Sequence, residues 1–108
     1  MIVRGTLYFA DLDGLGDKRV LGVSWDAINQ GMHSPIVCLV ISRDRPRALP
    51  TDVHIPAGLA GMEEDSWILC HEIWTLDEED FRREIAELPA PLLVEVEAAL
   101  RRALDLPG

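Results

Sequence analysis

The 108-residue sequence predicts a mainly β domain that ends in one amphipathic helix. Three observations carry this. Short apolar, β-branched or aromatic segments recur along the first two thirds of the chain, separated by turns rich in Gly, Pro and Asp. One of them, Ile36-Val37-Cys38-Leu39-Val40-Ile41, is apolar throughout, as a strand buried on both faces is. Only near the C-terminus do apolar residues settle into three- and four-residue spacing.

The elements follow in order. Thr6 to Leu12 is apolar, aromatic and β-branched and reads as a strand. Asp13-Gly14-Leu15-Gly16-Asp17 breaks it into a loop. Val20 to Trp25 is a second apolar stretch, and Asp26 to Ser34 is turn-rich. After the Ile36–Ile41 strand, Arg43-Asp44-Arg45-Pro46-Arg47 reads as a solvated basic loop. Asp52-Val53-His54-Ile55 alternates polar and apolar, like a half-buried strand. A glycine-containing loop, Pro56 to Glu64, leads to another β-prone run, Trp67 to Leu76. Asp77 can cap a helix whose first turn holds Glu78, Glu79 and Asp80. Phe81, Ile85 and Leu88 fit helical spacing, yet Arg83 to Leu88 also fits a short strand. Leu92, Leu93, Val96, Leu100, Ala103 and Leu104 form one helical stripe. Pro91 suits its first turn, Glu97 and Arg101 have ion-pair spacing, and Pro107-Gly108 ends it.

Composition narrows the function. The chain is 48% hydrophobic and 27% charged, enough for a packed core, and its length suits a single domain over residues 1–108. The formal charge of −9 is uneven. Residues 1–50 hold 6 basic and 5 acidic groups; residues 51–108 hold 4 basic and 14 acidic groups. An acidic second half repels phosphate, so any nucleic-acid cradle belongs to the first half. No apolar run approaches the roughly 20 residues that cross a bilayer, and the first residues lack a signal-peptide pattern. A cytoplasmic protein without membrane partners is expected. Cys38 and Cys70 each sit in an apolar stretch and read as buried thiols. His33, His54 and His71 lack metal-ligand spacing.

Taken in order, these segments resemble the MazF/PemK toxin family of bacterial toxin–antitoxin pairs. Arg4-Gly5 followed by Tyr8-Phe9-Ala10-Asp11-Leu12 is similar to the family's opening strand. Asp65-Ser66-Trp67-Ile68-Leu69 and Ile73-Trp74-Thr75-Leu76-Asp77 are similar to its later signature, Asp-Ser-(apolar)₃ and then Gln-Ile-Arg-Thr-(apolar)-Asp. Leu88 to Leu106 resembles its closing leucine-rich helix. The resemblance implies a small SH3-like antiparallel β-barrel of the MazF/PemK/CcdB type, as a homodimer. It also favours strand for Arg83 to Leu88.

The resemblance also implies chemistry. The family cleaves single-stranded RNA with no metal or other cofactor. The 2′-hydroxyl attacks the adjacent phosphorus, leaving a 2′,3′-cyclic phosphate and a 5′-hydroxyl. By resemblance the catalytic positions are Arg19, after the first loop, and Ser42, at the end of the third strand. An arginine fork can hold two phosphate oxygens, and a hydroxyl at a strand end can give one directed hydrogen bond. RNA-binding candidates are Lys18, the loop arginines Arg43, Arg45 and Arg47, and the signature positions Glu72 and Trp74. Trp74 stands where the family has arginine and can stack a base instead. Implied partners are single-stranded RNA and a cognate antitoxin. The alternative is a toxin-fold homologue with impaired catalysis that acts by binding protein, either an antitoxin or a target such as gyrase. The acidic second half, Glu72 and the arginine lost at position 74 favour that alternative.

Overall fold

The computed structural model describes residues 2–31, 33–42 and 47–108. Six strands, β1 (Thr6–Asp11), β2 (Asp17–Gly22), β3 (Ile36–Ile41), β4 (Asp52–Ile55), β5 (Ser66–Thr75) and β6 (Phe81–Glu87), form one sheet. Two α-helices, α1 (Asp26–Gln30) and α2 (Ala90–Ala103), and a 3₁₀ turn (Glu78–Asp80) complete the fold. The sheet order is β4-β5-β3-β2-β1-β6, with every neighbouring pair antiparallel. The mainly β reading with a closing helix is therefore correct. The barrel is a curled sheet with two edges, because no pairing joins β4 to β6 among the described residues.

Bulges supply the curl. Between Cys38↔Ile73 and Leu39↔Leu69 the β3–β5 register jumps, leaving residues 70–72 out of step. Two further shifts break the β1–β6 pairing, beside Ile85 and Arg82. Each extra residue bends its strand and increases local twist. The curl brings the β4–β5 loop against β6: a Cβ placed on Gly61 would lie 2.9 Å from Ile85 Cγ2.

Both faces of the central strands are buried. On the concave face Leu7, Leu21, Cys38, Val40, Val53, Ile55, Ile68 and Met62 pack under Val96 and Ala99 of α2. On the other face Tyr8, Ala10, Val20, Val37 and Leu76 form a second cluster with Trp74 and Phe81 against it. The continuous apolar run of β3 follows, since its alternate residues feed the two clusters.

Several local readings change. Asp26 to Gln30 forms a helical turn, pinned by buried Asn29, whose amide donates to the Ser24 carbonyl at 3.1 Å. The Ser24 hydroxyl in turn accepts the Ile36 N–H at 2.9 Å, tying α1 to the start of β3. Phe81 to Glu87 is strand, and the Asp77 N–H donates to the Asp80 carboxylate at 3.0 Å around the short turn before it. Glu97 pairs with Arg4, at 2.5 Å, rather than with Arg101. Leu104 caps α2 and is more than half exposed, so the buried stripe ends a turn earlier.

Candidate active site at the open end of the concave face

One row of registered residues crosses the whole sheet. It runs Arg83 (β6), Phe9 (β1), Arg19 (β2), Val40 (β3), Ile68 (β5), Val53 (β4). Directly paired residues share a face, so the row lies on the concave side. Its β4 half is core: Val53, Ile68 and Val40 are buried. Its β6 half leaves the core, with Phe9 and Arg19 half-buried and Arg83 exposed. The site forms where the apolar interior opens to solvent.

Arg19 lies within β2 rather than in the preceding loop. Its strand position fixes the direction of its stem, and its Nη1 donates to Ser42 Oγ. Ser42 Oγ lies 2.9 Å from Ser66 Oγ, and Ser66 Oγ donates to the Glu64 carbonyl at 3.0 Å. A hydroxyl has one proton. Ser66 gives its proton to a carbonyl, which can only accept, so Ser42 is the donor between the two serines. The result is a directed relay: guanidinium to Ser42, Ser42 to Ser66, Ser66 to backbone. Ser66 is fully buried and anchors it.

The electrostatics favour an anion here. Arg82 Nε lies 3.4 Å from Asp17, and Arg82 Nη2 lies 3.9 Å from Asp11. These two nearby carboxylates are thus neutralised by a third arginine. Among the described residues neither Arg19 nor Arg83 is ion-paired. Both flank the Phe9 ring, with the Arg83 guanidinium carbon 4.5 Å and that of Arg19 5.8 Å from its centroid. The buried Cys38 thiol is pushed up by its hydrogen bond to Cys70 and by burial.

The structure unites Arg19 with Ser42 and separates Lys18, Trp74 and Glu72 from them. Lys18 adjoins Arg19 along β2 and therefore points to the opposite face, exposed. Trp74 pairs with Val37 and packs in the second cluster, away from the concave face. It lines a cavity of about 430 Å³ with Asp13, Asp77 and Asp80, an acidic wall unsuited to phosphate. Glu72 is half-buried in the β5 bulge, six residues along the strand from Ser66, roughly 20 Å of extended chain. Arg47 is exposed; Arg43 and Arg45 lie outside the described residues. Three residues of this arrangement, Ser66, Phe9 and Arg83, are not among the sequence candidates. Ser66 was visible as the serine of the Asp-Ser signature, while Phe9 and Arg83 carried no signal beyond ordinary strand composition.

The sequence of this curled sheet and its closing helix matches a family model that places the chain among the toxins of type II toxin–antitoxin systems. Within that class it belongs to the PemK-like, MazF-like toxin family, whose model matches residues 3–104. It is 32% identical over 112 residues to endoribonuclease EndoA of Bacillus subtilis, covering 98% of this chain and 97% of that protein. It is 31% identical over 113 residues to endoribonuclease MazF6 of Mycobacterium tuberculosis, covering 98% and 99%. Among solved structures it is similar to a mycobacterial endoribonuclease in complex with its cognate antitoxin. The TM-score is 0.87 at 25% identity, over 100% of this chain and 99% of that one. It is also similar to a MazE–MazF complex from Deinococcus radiodurans, with a TM-score of 0.81 at 28% identity over 98% and 97%. No helix of the described residues is long and apolar enough to cross a membrane.

Proposed function

We propose that this protein is a metal-independent endoribonuclease that cleaves single-stranded RNA. The observation that carries the reading is the Arg19–Ser42–Ser66 relay at the mouth of the concave face. Attack of a 2′-hydroxyl on the adjacent phosphorus breaks the bond to the 5′-oxygen, leaving a 2′,3′-cyclic phosphate and a 5′-hydroxyl. Such a reaction needs orientation of the attack and stabilisation of charge on the phosphoryl oxygens. Arg19 has N–H groups left after its bond to Ser42, in a planar fork suited to phosphate. A guanidinium does not lose its proton near neutral pH, so Arg19 acts by charge stabilisation and not as a base. Ser42, whose one proton goes to Ser66, accepts from Arg19 Nη1 and so holds the guanidinium in place for a phosphoryl oxygen to take its remaining N–H groups.

The protein works in the cytoplasm as a homodimer and is neutralised by a cognate antitoxin. The likeness to an endoribonuclease in complex with its cognate antitoxin supports the last of these. The test is an RNA cleavage assay in EDTA, with wild type and Arg19→Ala in parallel. Fragments ending in cyclic phosphate from the wild type alone are expected. RNA left intact by the wild type across diverse sequences would sink the reading.

The second reading, action by protein binding alone, gains from the structure the acidic cavity around Trp74. It requires a stable complex that forms equally well with Arg19→Ala and no cleavage by either protein.

A further inference from the structure

We infer that Phe9 and Arg83 form a nucleotide subsite that holds the RNA strand beside the scissile phosphate; this rests on the cleavage reading above. The groove is built by a defect in pairing. Adjacent residues of a regular strand point to opposite faces. The register shift between Phe9↔Arg83 and Ala10↔Phe81 inserts Arg82 as an extra residue, and a bulge re-aims its neighbours. As a result Arg82 and Arg83 both line one groove of about 370 Å³ with Phe9 and Asp17.

The two arginines have different tasks. Arg82 is engaged by Asp17 and Asp11, and its Nη1 donates to the Glu79 carbonyl at 3.0 Å. Arg83 is exposed, has no ion pair among the described residues, and rests its guanidinium over Phe9. It lies on the same registered row as Arg19, with Phe9 between them. A row of cation, ring and cation that ends at the Arg19–Ser42 pair fits a single strand. Phosphates fall on the guanidiniums, and the ring between them holds both cations in place along the strand's path. Arg83 is thus a positioning residue for substrate, reading backbone charge rather than base identity.

The test uses a synthetic single-stranded oligoribonucleotide that carries a site the wild type cuts in a long transcript. Cleavage kinetics are measured between 50 and 300 mM KCl, roughly, in EDTA for wild type, Arg83→Ala, Arg83→Lys and Phe9→Leu. Arg83→Ala should raise KM about five- to tenfold with kcat within twofold. The slope of log KM against log salt should fall by about 0.7, the value of one phosphate contact on a single strand. Arg83→Lys should keep the wild-type slope, and Phe9→Leu should raise KM without changing it. A residue that merely packs on the sheet would leave the slope untouched. Wild-type cleavage with an Arg83→Ala variant of unchanged KM and slope overturns this inference alone. A wild type that cuts no RNA overturns the cleavage reading and this inference with it.

Discussion

Ser42 donates to Ser66 across 2.9 Å, because the single proton of Ser66 is already given to the Glu64 carbonyl. The two hydroxyls come from β5 and from the residue just after β3, next to the Ile41↔Trp67 pair. The orientation of Ser42 is therefore set by the sheet and not by solvent.

That relationship predicts a phenotype for Ser66, which touches no substrate. Ser66→Ala removes the acceptor and leaves Ser42 free to rotate. We expect kcat to fall about tenfold with KM within twofold, the pattern of a lost transition-state interaction. The buried hydrogen bonds lost contribute about 1 kcal/mol, a decrease of roughly 4–8 °C in Tm for a domain of this size. Thermal melts alongside the kinetics separate the two effects. An unchanged kcat would show that Ser42 does not need this support.

Arg19 predicts a distinction between charge and shape. Its guanidinium serves Ser42 through Nη1 and has further donors for phosphate. A lysine keeps the charge but not the fork. Arg19→Ala should lower kcat by about 10²–10³, the usual cost of removing one charge-stabilising donor. Arg19→Lys should retain no more than about a tenth of wild-type activity. Single-turnover cleavage in EDTA measures both. A fully active lysine variant would reduce the role of Arg19 to net charge.

The loop before β5 predicts an acid response. Asp65 accepts from the Ala57 N–H at 2.9 Å and faces His54 Nε2 at 3.2 Å. The backbone hydrogen bond first, and then the His54 contact, hold its carboxyl below the usual range. A carboxyl depressed in the folded state favours folding above its unfolded pKa of about 3.9. That contribution is lost as the pH falls through the lower folded value. Asp65→Asn should therefore narrow the drop in urea midpoint between about pH 5 and pH 3. An identical drop in both proteins would remove Asp65 from the acid transition.

What the sequence disclosed depended on whether a feature is local. β3 is readable because six consecutive apolar residues mean burial on both faces, and α2 because its stripe repeats along one segment. Arg19 falls between the first loop and the apolar stretch that begins at Val20, and its place in β2 is not legible locally, since its partners Phe9 and Val40 are ten and twenty-one residues away. The Glu97–Arg101 spacing looks like a helical pair, while the real partner, Arg4, is at the other end of the chain. Arg83 was hidden for a different reason. The bulge at Arg82 breaks two-residue alternation, so no periodicity assigns the pair of arginines to a face.

The contact that spans the open side of the sheet gives the sharpest stability test. Gly61 has φ +75°, a conformation that side-chain-bearing residues rarely adopt, and an added Cβ would stand 2.9 Å from Ile85 Cγ2 on β6. Backbone strain and overpacking then act together, and Gly61→Ala should destabilise by about 1–3 kcal/mol. The two terms can be separated. Ile85→Ala removes the clashing methyl but leaves the strain, so the double variant should be more stable than additivity of the two single changes allows. The coupling should exceed about 0.5 kcal/mol, the level that marks residues in contact. Strict additivity would mean that the loop moves away from β6 at no cost and that the β4 and β6 edges are not held together through Gly61.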